Sequence, residues 1–280
     1  MRKVCLFGVL LLTAFALAGH DAGAADVKPL PNVEELRGRA VAGAEKQKAD
    51  REKYMCRELD TNSDVDSKGV VKKTETAERE IFFVRGHQIA QTVLKDGKPL
   101  SESEQKKQDT EVKKRIEEAS KDEKASQKRG EVTIGPDTFL RLSKLTNERR
   151  TMVAGRPTIV FDAAGDESKK ADTLPERFIQ AMAGTIAIDE ETGQLQDVEM
   201  HGTKDVKVGG GLLANVHKGF MLHVVSKPRP DGVWLMDWAY GSGDARVGLF
   251  LHPAGRFQQQ MEGCRVFDVN TSSTTALARP

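Results

Sequence analysis

The chain has 280 residues, 43 basic and 42 acidic, for a formal net charge of +1. The two signs are interspersed, so there is no basic field to hold nucleic acid and no acidic tail. Hydrophobic residues make up 38% and charged residues 30%, which allows a core but requires that some segment be mostly solvated.

Arg2 and Lys3 give a basic start, Val4 to Leu17 run apolar without a charge, and small residues follow to Ala22-Gly23-Ala24-Ala25. This is the order of a secretory signal with an A-x-A-like cleavage site. The apolar run falls short of the roughly 20 residues that cross a bilayer. Residues 1–25 therefore read as a cleaved signal peptide, and the mature protein as periplasmic or secreted, not integral to a membrane. Leu17-Ala18-Gly19 is followed by His20, so the cysteine of a lipoprotein signal is missing and no lipid anchor is expected. About 255 residues remain, the size of one large all-β or α+β domain, or of two small ones. We read 26–269 as a single α+β domain and 270–280 as a flexible polar tail. Of the three cysteines, Cys5 falls in the signal. Cys56 and Cys264 stand near the two ends of the mature chain and are expected to pair in an oxidising compartment, the alternative being two unrelated buried thiols.

From Val33 onward the spacing of Leu36, Ala40, Val41 and Ala44 predicts a polar helix with a modest apolar stripe, capped by Asn32. Asp60 to Asp66 reads as a loop closed by Gly69. Its Asp60, Asn62, Asp64 spacing lacks the glycine and the glutamate of a calcium loop. Val70–Val84 and His87–Leu94 read as strands, and Asp96-Gly97 as a turn. Residues 101–129 read as a long charged helix inserted in the domain. Ser101 and Glu104 have capping-box spacing, and Val112, Ile116 and Ala119 form a narrow apolar stripe. Short helices are predicted around Asp137–Leu145 and after Thr173, with one or two strands between Arg149 and Phe161.

From Ala183 the texture changes to short alternating segments separated by glycine-bearing turns. That rhythm predicts an antiparallel meander, with no helix long enough for parallel crossovers. Gly241-Ser242-Gly243 reads as a loop rather than a nucleophile elbow, and Gly209-Gly210-Gly211 as a bend rather than a phosphate loop. The histidines at 87, 201, 217, 223 and 252 are scattered and make no zinc motif. No catalytic residue, metal site or cofactor is predicted.

The strongest local pattern is Val233-Trp234-Leu235-Met236-Asp237-Trp238-Ala239-Tyr240. Strand alternation puts Trp234, Met236, Trp238 and Tyr240 on one face. Phe220, Leu222, Ile186 and Ile188 come from neighbouring segments. This set is either an ordinary core face or the lining of an apolar groove.

Gly184-Thr185-Ile186-Ala187-Ile188-Asp189, Thr192-Gly193 and Leu195 to Gly202 resemble hairpins of the LolA/LolB-like periplasmic lipoprotein carriers. Asp231-Gly232-Val233-Trp234-Leu235 resembles a hairpin of outer-membrane lipoprotein-sorting relatives, with Met236 where a proline is frequent. The resemblance covers about Ala183 to Val269. It implies a curved antiparallel half-barrel with covering helices that binds acyl chains of lipid or lipoprotein without catalysis. On that reading Trp234, Met236, Trp238, Phe220, Leu222, Ile186 and Ile188 line the groove. The alternative is a cell-envelope protein–protein interaction or regulatory module with a closed core, in which the charged helix makes contacts.

Overall fold

The structure is a computed structural model that describes residues 28–66, 68–121, 136–208, 214–247 and 253–266. The chain divides into a unit ending at Leu30 and a unit from Pro31 to Pro280. The architecture that follows is that of the second. The expected signal peptide, the end of the charged stretch beyond Lys121, the Gly209–Gly211 bend and the expected tail at 270–280 lie outside the described residues.

Helix α1 (Val33–Arg51) starts where expected, because the Asn32 side chain accepts the amides of Glu34 and Glu35 at 2.9 and 3.3 Å. Leu36, Ala40 and Ala44, one turn apart, are its buried residues. Strands β1 (Tyr54–Val65), β2 (Val71–Val84), β3 (His87–Lys95) and β4 (Lys98–Pro99) follow. Next comes α2 (Glu102–Lys121), started by the Ser101–Glu104 capping box. After α3 (Pro136–Arg141), strands β5 (Ser143–Val153) and β6 (Arg156–Gly165) form a hairpin. Helix α4 (Leu174–Gln180) is opened by a Thr173–Glu176 capping box. Seven strands complete the order: β7 (Met182–Asp189), β8 (Leu195–Gly202), β9 (Val206–Val208), β10 (Ala214–Val216), β11 (Met221–Pro228), β12 (Trp234–Val247) and β13 (Ala254–Val266).

Every ladder is antiparallel, and the strand order is β4-β3-β2-β1-β13-β12-β11-β8-β7-β6-β5, with β10 pairing with β9 and with the end of β12. The sheet is open: among the described residues nothing pairs with β5 or β4 on its outer side.

Two expected loops are strand. Asp60 to Val65 belongs to β1, paired on one side with β2 and on the other with β13. Two flanking ladders satisfy its backbone, so polar side chains do not prevent a strand there. Gly241-Ser242-Gly243 lies inside the 14-residue β12. Gly241 faces Phe257 across the ladder, where a Cβ would run into the Phe257 ring. The glycine is there to admit an aromatic side chain, not to turn the chain.

Following registers across the sheet separates its two faces. Ile186 pairs with Val198, Val198 with Val224, and Val224 with Ala239. Ala239 pairs with Gln259, Met261 with Glu58, and Glu58 with Arg79, next but one to Ile81. These residues share the front face. Helices α1, α3 and α4 cover it at one end, where Leu36, Ala40, Leu140 and Ile179 pack on Ile159, Phe161, Ile186 and Met200. Helix α2 packs on the rear face at the other end, where Val112, Ile116 and Ala119 meet Phe82, Val84 and Ile89. The helices thus cover opposite faces of one sheet. The apolar stripe read on the charged helix is the one that packs.

Cys56 and Cys264 form a disulfide with their Cα atoms 4.0 Å apart. They meet at a bulge in the β1–β13 ladder, where Gly263 and Cys264 together oppose Cys56 and Gly263 has φ +53°. A left-handed glycine as the first residue of a bulge redirects the next side chain, here towards its partner sulfur.

Candidate functional site

The aromatic strand does not present one face. Val225 on β11 pairs with Trp238, but the next residue, Ser226, pairs with Met236, leaving Asp237 as an inserted residue on β12. An inserted residue inverts the alternation beyond it. Trp234 and Met236 therefore do not share the face of Trp238 and Tyr240, contrary to the alternation read from the sequence.

The seven expected groove residues fall into three environments. Ile186, Ile188 and Phe220 belong to the main core with α1 and α4, and the Phe220 ring meets Phe178 edge-on at 5.3 Å. Trp234 is 2% exposed. Helix α1 holds it from both backbone sides: its N–H donates to Gln47 Oε1 at 2.9 Å and its carbonyl accepts from Arg51 Nε at 3.1 Å. The Arg156 guanidinium lies over its ring at 5.6 Å. Leu222 and Met236 are half-buried, Met236 beside the cluster of Tyr54, Cys56 and Ile81. Only Trp238 belongs to the rear face.

There Trp238 and Tyr240 lie parallel, centroids 6.1 Å apart and planes 7° apart. His223 stands edge-on to Trp238 at 5.0 Å and is hydrogen-bonded through Nε2 to Asp197 at 3.0 Å. These four side chains are half-buried. From Tyr240 the face runs into a cleft of about 630 Å³ lined by Val65, Asp66, Ser242, Asp244 and Arg256. Aromatic rings with polar handles, rimmed by charge, suit recognition of a partner surface.

No protein-family model and no curated protein matches the chain. Among solved structures, the crystal structure of MucB in complex with MucA(peri) is similar at 9% identity and a TM-score of 0.24, over 81% of this chain and 94% of that one. A likeness at that level assigns neither family nor function.

Two buried polar groups were not singled out in the sequence. Asp189 is fully buried and bound by Arg156, by the Thr192 amide at 2.8 Å and by the Thr192 hydroxyl at 2.7 Å. Burial pushes its carboxyl up, but Arg156 and Thr192 outweigh that and hold it below the usual carboxylate range. The Thr192-Gly193 turn was the available signal. On β1, Glu58 and Asp60 share Arg79 at 3.1 and 2.9 Å. Glu58 Oε2 is buried without a hydrogen-bond partner. Burial raises the Glu58 carboxyl, with Arg79 opposing and Asp60 reinforcing. Reading Asp60 as loop hid this pair. Among the described residues no helix is long and apolar enough to cross a membrane.

Proposed function

We propose that this chain is a non-catalytic, exported interaction protein of the cell envelope that engages a protein partner through the rear face around His223, Trp238 and Tyr240. One observation carries the reading: the bulge at Asp237 sends Trp234 into the protein and leaves Trp238 half-exposed on the other face. A groove for acyl chains on the front face would need Ile186, Ile188, Phe220 and Trp234 open to solvent, and the chain's own helices and side chains fill that space. Interfaces are enriched in amphipathic aromatic residues that are partly buried before the partner arrives.

Site-specific photo-crosslinking in the native host tests this. A crosslinker at Tyr240 is expected to give one discrete protein adduct that is lost with Trp238→Ala, whereas a crosslinker at Met152, 62% exposed on β5, gives none. Co-purified lipid in native mass spectra, with a saturable fatty-acid response of Trp234, would instead return the apolar-groove reading.

A further inference from the structure

We infer that a second cleft, between the start of α1 and the start of β5, binds a phosphate group. The cleft has a volume of about 750 Å³, within the range of ligand sites. It lies far along the chain and on different elements from the aromatic face. Four cations line it, Arg37, Arg141, Lys144 and Lys169, against two carboxylates, Glu34 and Asp166.

How these charges are paired decides what the cleft can take. Arg37 is committed to the protein, since its Nη1 and Nη2 donate to the carbonyls of Leu140 in α3 and of Ser143 at the start of β5. Its positive charge is nevertheless poorly answered. Glu34 is 3.6 Å away with a side chain 78% exposed, too far for a hydrogen bond. Arg37 Nε is buried with no acceptor. Lys144 also stands 3.6 Å from its carboxylate, Asp166, and the Asp166 oxygen it approaches already accepts the amide and hydroxyl of Ser168 at 3.1 and 2.7 Å. Lys169 has no ion-pair partner among the described residues. Arg141 alone is closely paired, with Glu176 at 2.6 Å, and that bond uses one of its five N–H donors.

The cleft therefore offers loosely answered cations from three separate segments, Arg37, Lys144 and Lys169, with Arg141 adding its unused donors from a fourth. A phosphate ester carries a charge of about −1.5 to −2 at neutral pH and three acceptor oxygens. A tetrahedral group with that charge fits donors arriving from several directions better than a planar carboxylate, which favours one bidentate arginine. Val33, Val41 and Leu145 also line the cleft, so whatever carries the phosphate meets an apolar wall.

Lys144 and Lys169 reach the solvent and can be changed without disturbing the Arg37 cap of α3. Backbone NMR of the mature protein titrated with inorganic phosphate, at ionic strength matched with chloride, is expected to show saturable shifts at Lys144–Thr146 and Lys169. Lys144→Glu with Lys169→Glu should weaken the titration by roughly tenfold, while Lys107→Glu with Lys113→Glu on α2 leaves it unchanged. Sedimentation with vesicles containing phosphatidic acid, whose headgroup is a phosphate monoester, or of phosphatidylcholine alone identifies the source. Capture by the first alone, lost in the cleft variant, marks a lipid headgroup. Phosphate shifts without capture mark a free phosphate ester. The inference is overturned by the absence of both saturable shifts and vesicle capture, or by equal effects of the two double variants.

Discussion

Trp234 and Trp238 stand four residues apart and do different work. Trp234 is enclosed by α1 and Arg156, so Trp234→Ala is expected to cost about 3–5 kcal/mol, measured by urea denaturation. Trp238→Ala removes a half-exposed ring and should cost less than half as much, while abolishing the crosslink expected at Tyr240. Equal losses of stability would mean that both rings are core. The sequence could not separate them, because a period of two assumes that every residue has a partner across the ladder, and Asp237 has none. Asp189 makes a third test. Its carboxyl is held below the usual range, so its stabilising effect is complete above the unfolded-state value near 4 and is lost as pH falls through the lower folded value. Asp189→Asn leaves Arg156 with Glu191 as its ion-pair partner and should cost about 1–3 kcal/mol at neutral pH. The same variant should flatten the acid limb of the stability profile. Glu58 acts with the opposite sign. Its raised carboxyl makes the folded state bind the proton more tightly, so its penalty grows as pH rises, and Glu58→Gln should raise the melting temperature at pH 7 relative to pH 4.

Among the elements, helix starts were legible because capping is local: Asn32, Ser101 and Thr173 each open a helix with the bonds their spacing implies. The apolar stripes of α1 and α2 were legible for the same reason. What they pack against was not, because the choice of sheet face depends on registers set by residues far away in the chain. Gly241 and Gly243 misled the reading for a related reason, whereas Gly184 was read in the alternating segment that forms β7. At Gly184 a Cβ would collide with the backbone carbonyl of Glu199 on β8, so the residue serves close strand approach. Gly184→Ala is expected to destabilise by about 1–3 kcal/mol, and a thermal melt within one degree of wild type would refute that account. The disulfide is the other element-level device. Its sulfurs are 208 residues apart in sequence, and a loop of that length corresponds to about 5 kcal/mol in the chain-entropy model, with measured bridges more often at 2–4. Reduction under native conditions should therefore shift the urea midpoint markedly downward. Thiol labelling of unreduced, denatured protein should find neither Cys56 nor Cys264 free.

In the whole molecule, the last strand occupies the middle of the sheet. Strand β13 lies between β1 and β12, and among the described residues no other ladder joins β1–β4 to the β5–β12 group. The sequence showed a meander from Ala183 onward and correctly implied antiparallel pairing. It could not show that the meander ends by returning to β1, because local alternation says nothing about which distant edge a strand will meet. This return has a consequence for synthesis. A chain made from its N-terminus exposes the unpaired side of β1 for the whole time that the next 188 or so residues are being added, and open edges recruit other strands. Chains stalled at Pro253 are expected to show a freely alkylated Cys56 and protease-sensitive β1–β4, both reversed once synthesis passes Val266. A nick or frameshift ahead of Ala254 would leave two half-sheets with raw edges in place of one. The final strand is the keystone of an arch, and until it is set the polypeptide is a candidate for proteolysis or aggregation, however well its helices have formed.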